Sequence, residues 1–196
     1  PIYNATIEAG RQAGHLVTGD FNGFQQEGWG PYQHTIYKGE RWSAAKAYLH
    51  PALGRPNLTC ITGARTTRLI VEGGRCTGVE YIKDGQTVTD TARKEVIVCG
   101  GALESPKLLL LSGIGPARHL QEVGVEVKVD LPGVGENFHN HVLVPVVQLV
   151  KESLPEPKQN ASEVALFTKS NPDNVGPDIQ VAFVHIVPGL PDAVVI

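Results

Sequence analysis

The sequence contains no methionine and opens on Pro1. It closes on the apolar run Ala193-Val-Val-Ile196, without a stop signal. We therefore expect an internal segment of a longer polypeptide. Cysteine is scarce: Cys60, Cys76 and Cys99 form no Cys-x-x-Cys and cannot all pair with one another. That favours a reducing, cytoplasmic setting with each thiol packed in the interior. Charge of one sign is also missing. A net charge of -3 gives no reason to expect nucleic acid or an anionic membrane as a partner. No apolar run approaches the roughly 20 residues that span a bilayer, so no transmembrane segment is expected. The N-terminus has no basic stretch leading into an apolar one, so no signal peptide is visible.

What is present describes an ordinary globular protein, 41% hydrophobic and 19% charged. At 196 residues it can form one large domain or parts of two. Tyr3 to Gly10 reads as a short helix with Ile7 and alanines on one face. From Asp20 to Tyr37 glycines alternate with Phe21, Phe24, Trp29 and Tyr32, the make-up of either a loop over a pocket or a packed loop. Ser43 to Leu49 reads as a helix capped by the Ser43 hydroxyl and stopped by Pro51.

Thereafter the period changes to two. Leu58–Ile61, Thr66–Val71, Cys76–Ile82 and Gln86–Thr89 read as strands. Gly73-Gly74 and Asp84-Gly85 accept positive φ and so favour tight hairpins, which makes this an antiparallel meander. Glu95 to Cys99 is instead continuously apolar after its first residue, the pattern of a central parallel strand buried on both faces. It feeds Gly100-Gly101 and a helix, with Pro106 suited to the first turn and Gly113 to the C-terminal cap. A strand, two glycines and a helix start can bring bare backbone and partial positive charge close to a cofactor. Val125–Asp130, Val142–Val150 and Ile179–Val187 read as further strands, and Lys151–Ser162 as a loop. His139 and His141 would share one face of a strand, but no acidic or cysteine partner has ligand spacing, and we assign no metal.

Gly101-Ala102, Ser105-Pro106, Leu109-Leu110 and Ser112-Gly113-Ile114-Gly115 fill every fixed position of a known signature. By it the chain resembles the glucose–methanol–choline (GMC) oxidoreductases, and the choline-dehydrogenase-like bacterial branch in particular. Arg55 to Ala64, Gly78-Val79-Glu80, Leu131 to Asn137 and Pro177 to Gln180 agree with that family in order and spacing. At Asn140 this chain departs from the family's usual aspartate. The resemblance implies an α/β (α+β mixed) fold: part of an FAD-binding Rossmann-like domain with an antiparallel meander, plus part of a mixed-sheet substrate domain. It further implies residues 1–54 as a helical and loop segment on the substrate side, 55–140 within the FAD-binding domain and 141–196 as the start of the substrate-binding domain.

FAD is the cofactor so implied, with Thr66, Cys99, Gly100 and Gly101 as its contacts here. Thr66 takes the position whose backbone meets the adenine end. The implied reaction is oxidation of a small-molecule alcohol, choline-like or another primary alcohol, by hydride transfer to the flavin. Two alternatives stay open: non-redox chemistry on the same scaffold, as in hydroxynitrile lyases or fatty-acid photodecarboxylases, and a non-catalytic interaction domain. Neither the phosphate-cradling Gly-x-Gly-x-x-Gly nor the family's C-terminal catalytic histidine motif occurs in this sequence. We expect no catalytic residue in the segment and an inactive fragment when alone. Sheet edges left without neighbours should favour self-association or pairing with a complementary fragment.

Overall fold

The structure is a computed structural model and describes residues 2–151, 162–184 and 193–195. In chain order it runs α1 (Ile2–Gln12), β1 (Gly28–Pro31), β2 (Ile36–Tyr37), β3 (Glu40–Arg41), a π-helical turn (Ala45–Leu49) and α2 (His50–Ala52). There follow β4 (Arg65–Glu72), β5 (Arg75–Lys83), β6 (Gln86–Thr91), α3 (Gly101–Leu111), β7 (Ile114–Gly115), α4 (Ala117–Glu122) and β8 (Val129–Asp130). Last come β9 (Val147–Leu149), β10 (Val164–Thr168), β11 (Ile179–Phe183) and β12 (Ala193–Val195). The chain divides into two compact units, one of Leu53–His141 and one of Pro1–Ala52 with Val142–Ile196.

In the central unit, β4, β5 and β6 form the antiparallel meander, in that order. Its two hairpins close as the turn residues require. Gly73 and Gly74 have φ of 55° and 77°, and Asp84 and Gly85 have φ of 51° and 78°, the positive pair of a type I′ turn. A bulge between Thr66 and Arg68 leaves Thr67 without a cross-strand partner. Its hydroxyl bonds instead to Glu80, at 3.1 Å from the carbonyl and 3.0 Å from the carboxylate. Helix α3 packs along the meander. After it, β7 and β8 pair in parallel across α4, a short right-sized crossover whose first amide, Ala117 N–H, donates to Asp130 at 3.0 Å. Leu69, Tyr81, Leu120 and Val134 are the buried apolar side chains of this unit.

The other unit is built on the antiparallel sheet β1-β10-β11. Trp29, Val164, Leu166, Phe183 and Val194 form its core, covered by Ile2, Tyr3 and Ile7 of α1. The helix lies close because Gly10 has no side chain: a Cβ there would sit 2.0 Å from the Trp29 ring. Phe21 packs edge-on to Phe167 at 4.9 Å between ring centroids and also against Tyr32 at 5.8 Å. On the exposed face of α1, Arg11 and Gln12 hydrogen-bond Glu8 and hold its carboxyl down at about 2.

Several expectations are corrected. Leu58–Ile61 and Glu95–Cys99 carry no strand ladder, and Val125–Asp130 pairs only at Val129–Asp130. A run of apolar residues encodes willingness to be buried, whereas a strand also needs a hydrogen-bonding neighbour. None lies beside the first two segments among the described residues. Of Val142–Val150 only β9 is paired, with β12, and residues 152–161 and 185–187 lie outside the described set. The thiols of Cys60 and Cys99 are exposed and Cys76 is half-buried, because the first two sit on those unpaired segments. In the stretch from Asp20 to Tyr37, Phe21 and Trp29 are core residues, so the packed alternative holds for them.

Both prolines also sit elsewhere than expected. Pro51 lies inside α2 rather than beyond it. The preceding π turn, in which the His50 amide reaches back to Ala45, is wider than an α turn and leaves room for the ring. Ser43 still caps that turn, accepting from the Lys46 amide at 3.3 Å. Pro106 falls in the body of α3, past its first turn. There it removes the amide that would serve Ala102, a cost that the helix absorbs at its solvent-facing start.

Replacing a helical glycine by alanine usually stabilises by about 0.5–1 kcal/mol. Gly10→Ala is expected to do the opposite. Displacing Trp29 should cost about 1–3 kcal/mol, the range for overpacked cores. A lower urea midpoint with red-shifted tryptophan emission is the expected readout, and a raised midpoint would contradict this packing.

Candidate functional site

A single cleft in the central unit gathers much of what the sequence marks. Its volume is about 690 Å³, within the range of small-molecule sites. One wall is the start of β4, contributing Arg65, Thr66, Thr67 and Leu69, with Val79 of β5 behind it. The floor is the segment from Val96 to Gly100, and the far wall is the α3 stripe of Glu104, Lys107, Leu108 and Leu111.

Local structure explains each wall. At a bulge two consecutive residues oppose one partner, so Thr66 and Thr67 both turn toward the cleft. On α3 the four lining residues recur at helical spacing and form one face. The two walls are joined by Ser112, immediately past α3. Its hydroxyl accepts the Leu69 amide at 2.8 Å and donates to the Leu108 carbonyl at 2.6 Å. Beyond it Gly113, with φ of 80°, leaves no space for a side chain: a Cβ would stand 2.3 Å from the Glu126 carbonyl oxygen. Gly115 is confined more softly, by the end of the Leu110 side chain at 2.5 Å. The second half of the signature is therefore a structural clasp.

Of the four residues expected at a cofactor, Thr66, Cys99 and Gly100 line the cleft together. Gly101 is not among the lining residues; it makes the turn from floor to helix with φ of 85°. Sequence reasoning missed Leu69, Val79, Leu108 and Leu111, and the polar rim of Arg65, Glu104 and Lys107. A usable signal existed in the i, i+3, i+4, i+7 stripe of α3 and the alternation along β4.

The chemistry available here is that of binding. Aliphatic side chains and two threonines line the interior. The carboxylate at the rim, Glu104, is occupied by Lys107 at 3.1 Å, and no histidine lines the cleft. Cys99 is a free thiol, and the lining residues include no general base to activate it. His139 and His141 are exposed elsewhere in the unit. Among the described residues no three His, Cys, Asp or Glu side chains converge as a metal site would need, and no helix is long and apolar enough to cross a membrane.

The cleft thus lies between the edge of an antiparallel meander and a helix that starts from a glycine turn, and comparison with known proteins gives the class. The GMC oxidoreductase family profile matches residues 1–143, so the chain belongs to that family. It is similar to the oxygen-dependent choline dehydrogenase of Sinorhizobium medicae, 52% identical over 142 residues, covering 72% of this chain and 26% of that protein. With the enzyme of the same name from Brucella suis it shares 47% over 171 residues, 87% of this chain and 30% of that one. The chain thus spans between a quarter and a third of the length of these relatives. Among solved structures, pyridoxine 4-oxidase from Mesorbium loti superposes with a TM-score of 0.81 at 29% identity, over 99% of this chain and 40% of that one. Formate oxidase from Aspergillus oryzae, at 23% identity and a TM-score of 0.79 over 98% of this chain and 43% of the other, shares the fold. The mixed α/β class with its antiparallel meander is that of these enzymes.

Gly101 offers a direct test of the turn. A Cβ there would meet nothing within 4 Å, so any cost of substitution must come from the backbone. Gly101→Ala is expected to destabilise by about 1–2 kcal/mol, the cost of a left-handed conformation for an L-residue. Unchanged chemical denaturation would refute the strained turn.

Proposed function

We propose that this chain is a segment of an FAD-dependent enzyme that oxidises a small alcohol, choline-like or another primary alcohol, to the aldehyde. The observation that carries the reading is the convergence of Thr66, Cys99 and Gly100 on one cleft next to the Gly101 turn. Kinship with the oxygen-dependent choline dehydrogenases supports the choice of substrate class.

The residues present fit part of FAD. Apolar walls from Leu69, Val79 and Leu108 suit the faces of a flat heterocycle, and the Thr66 and Thr67 region adds polar groups for its edge. Bare backbone at Gly100 and Gly101 allows close approach. Nothing in the sequence cradles a pyrophosphate, so the cleft suits the adenosine end, with the phosphates held by other parts of the polypeptide. When bound, FAD supplies the hydride acceptor. The residues described here bind and orient; they provide no base for the alcohol proton.

The same reading assigns residues 1–54 and 141–196 to the substrate side and 55–140 to the cofactor side, in a cytoplasmic protein. Apolar side chains left open on the chain support association. Ile97 is 76% exposed, and Val142 and Leu143 are 90% and 85% exposed. Pairing with the complementary part of the polypeptide, or with a second copy, would cover them.

The test uses the complete protein that contains this segment. Under anaerobic conditions choline should bleach its flavin absorbance in stopped flow. No bleaching by choline or any other alcohol would sink the redox reading and favour non-redox use of the scaffold. The isolated 196-residue chain should purify without yellow flavin absorbance and show no alcohol turnover. Retained flavin reduced by alcohol would overturn that expectation.

A further inference from the structure

One buried hydroxyl bridges the two walls of the cleft. Ser112 is 8% exposed, and its Oγ stands between the walls, accepting from Leu69 at 2.8 Å and donating to Leu108 at 2.6 Å. Both leucines line the cleft. Strand β4 is the open edge of the meander, so the Leu69 amide has no neighbouring strand to bond and depends on the serine. The helix end is fixed from the other side as well. The Ser112 amide bonds Leu108 and Leu109 at 3.1 and 3.0 Å, and the Gly113 carbonyl accepts from Lys128 and Val129 at 2.8 and 3.1 Å. The hydroxyl is the one side-chain hydrogen bond between α3's end and β4 among the described residues.

We propose that Ser112 is a positioning residue for the ligand of this cleft, setting the distance between the β4 and α3 walls that grip it. The proposal rests on the reading that the cleft takes the adenosine end of FAD. Removing the hydroxyl strands a buried amide, and the cheapest way to satisfy that amide is to admit water between strand and helix. Water there spreads the walls that the apolar faces of the ligand must fill. A residue acting only on stability would lower the melting point without changing affinity in the protein that remains folded.

The experiment measures FAD affinity of the complete enzyme after flavin removal, by quenching of flavin fluorescence, together with its melting point and hydrogen exchange at the Leu69 amide. Ser112→Ala is expected to weaken FAD binding about tenfold or more and to speed Leu69 exchange. Leu120→Ala serves as the stability control. Leu120 is 1% exposed in the same unit and does not line the cleft, so its loss lowers stability and should leave FAD affinity within about twofold.

If Ser112→Ala does not fold, Ser112→Cys replaces it, since a thiol keeps the size but is a weak acceptor and donor. Its FAD affinity should fall about threefold or more. FAD affinity unchanged in the serine variant, or reduced equally in Leu120→Ala, overturns the proposal and leaves the cofactor reading intact. If the complete enzyme does not bind FAD at all, both fall together. If FAD binds but Leu69 exchange is as fast in the parent as in Ser112→Ala, the positioning role alone is overturned.

Discussion

The Leu69 amide is the constraint around which the central unit is organised. An edge strand presents amides that no neighbour satisfies, and in a buried place each must find another acceptor. Here the acceptor is the Ser112 hydroxyl, at 2.8 Å. That one bond requires α3 to end beside β4, and so requires the chain to leave the helix sharply. Gly113 makes the departure, with φ of 80° and the Glu126 carbonyl where a Cβ would be. The parallel pair β7 and β8 follows directly, and the space left between β4, the helix and the floor from Val96 to Gly100 is the cleft. The cleft and the family signature are thus two consequences of satisfying a strand edge.

Local geometry was well encoded in the sequence. The meander could be read because glycine and aspartate turns with positive φ leave little freedom of register. Helix α3 could be read from its flanking glycines. Pairing with distant chain was not legible. Leu58–Ile61 and Glu95–Cys99 have the composition of sheet interior, yet pattern alone cannot say which strand lies alongside, and here none does among the described residues. The exposure of Cys60 and Cys99 follows from the same gap. The candidate site was half legible. Thr66, Cys99 and Gly100 came from the family resemblance, whereas for Leu69, Leu108 and Leu111 the helical stripe of α3 and the alternation along β4 mark a face but not the tertiary contact that makes it a wall.

The two units differ in what they ask of their residues. In the β1-β10-β11 unit, packing dominates: Gly10 is small so that Trp29 fits, and Phe21 meets Phe167 edge to face. In the central unit, backbone satisfaction dominates and few side chains are fully buried. Leu120 alone among its described apolar residues is nearly sealed from solvent. Such a unit gains from whatever occupies its cleft, since a ligand that binds only the folded form adds to its stability. A unit with a thin core and a clasped apolar cleft is consistent in that respect with a flavoprotein of the GMC family.

The central claim is that the cleft between β4 and α3 receives the adenosine end of FAD. A crystal structure of the complete, flavin-loaded protein tests it most directly. The account predicts adenine density between the Thr66 region and the backbone from Cys99 to Gly101, with the Ser112 bridge intact. Density for the whole cofactor lying away from this cleft would contradict it.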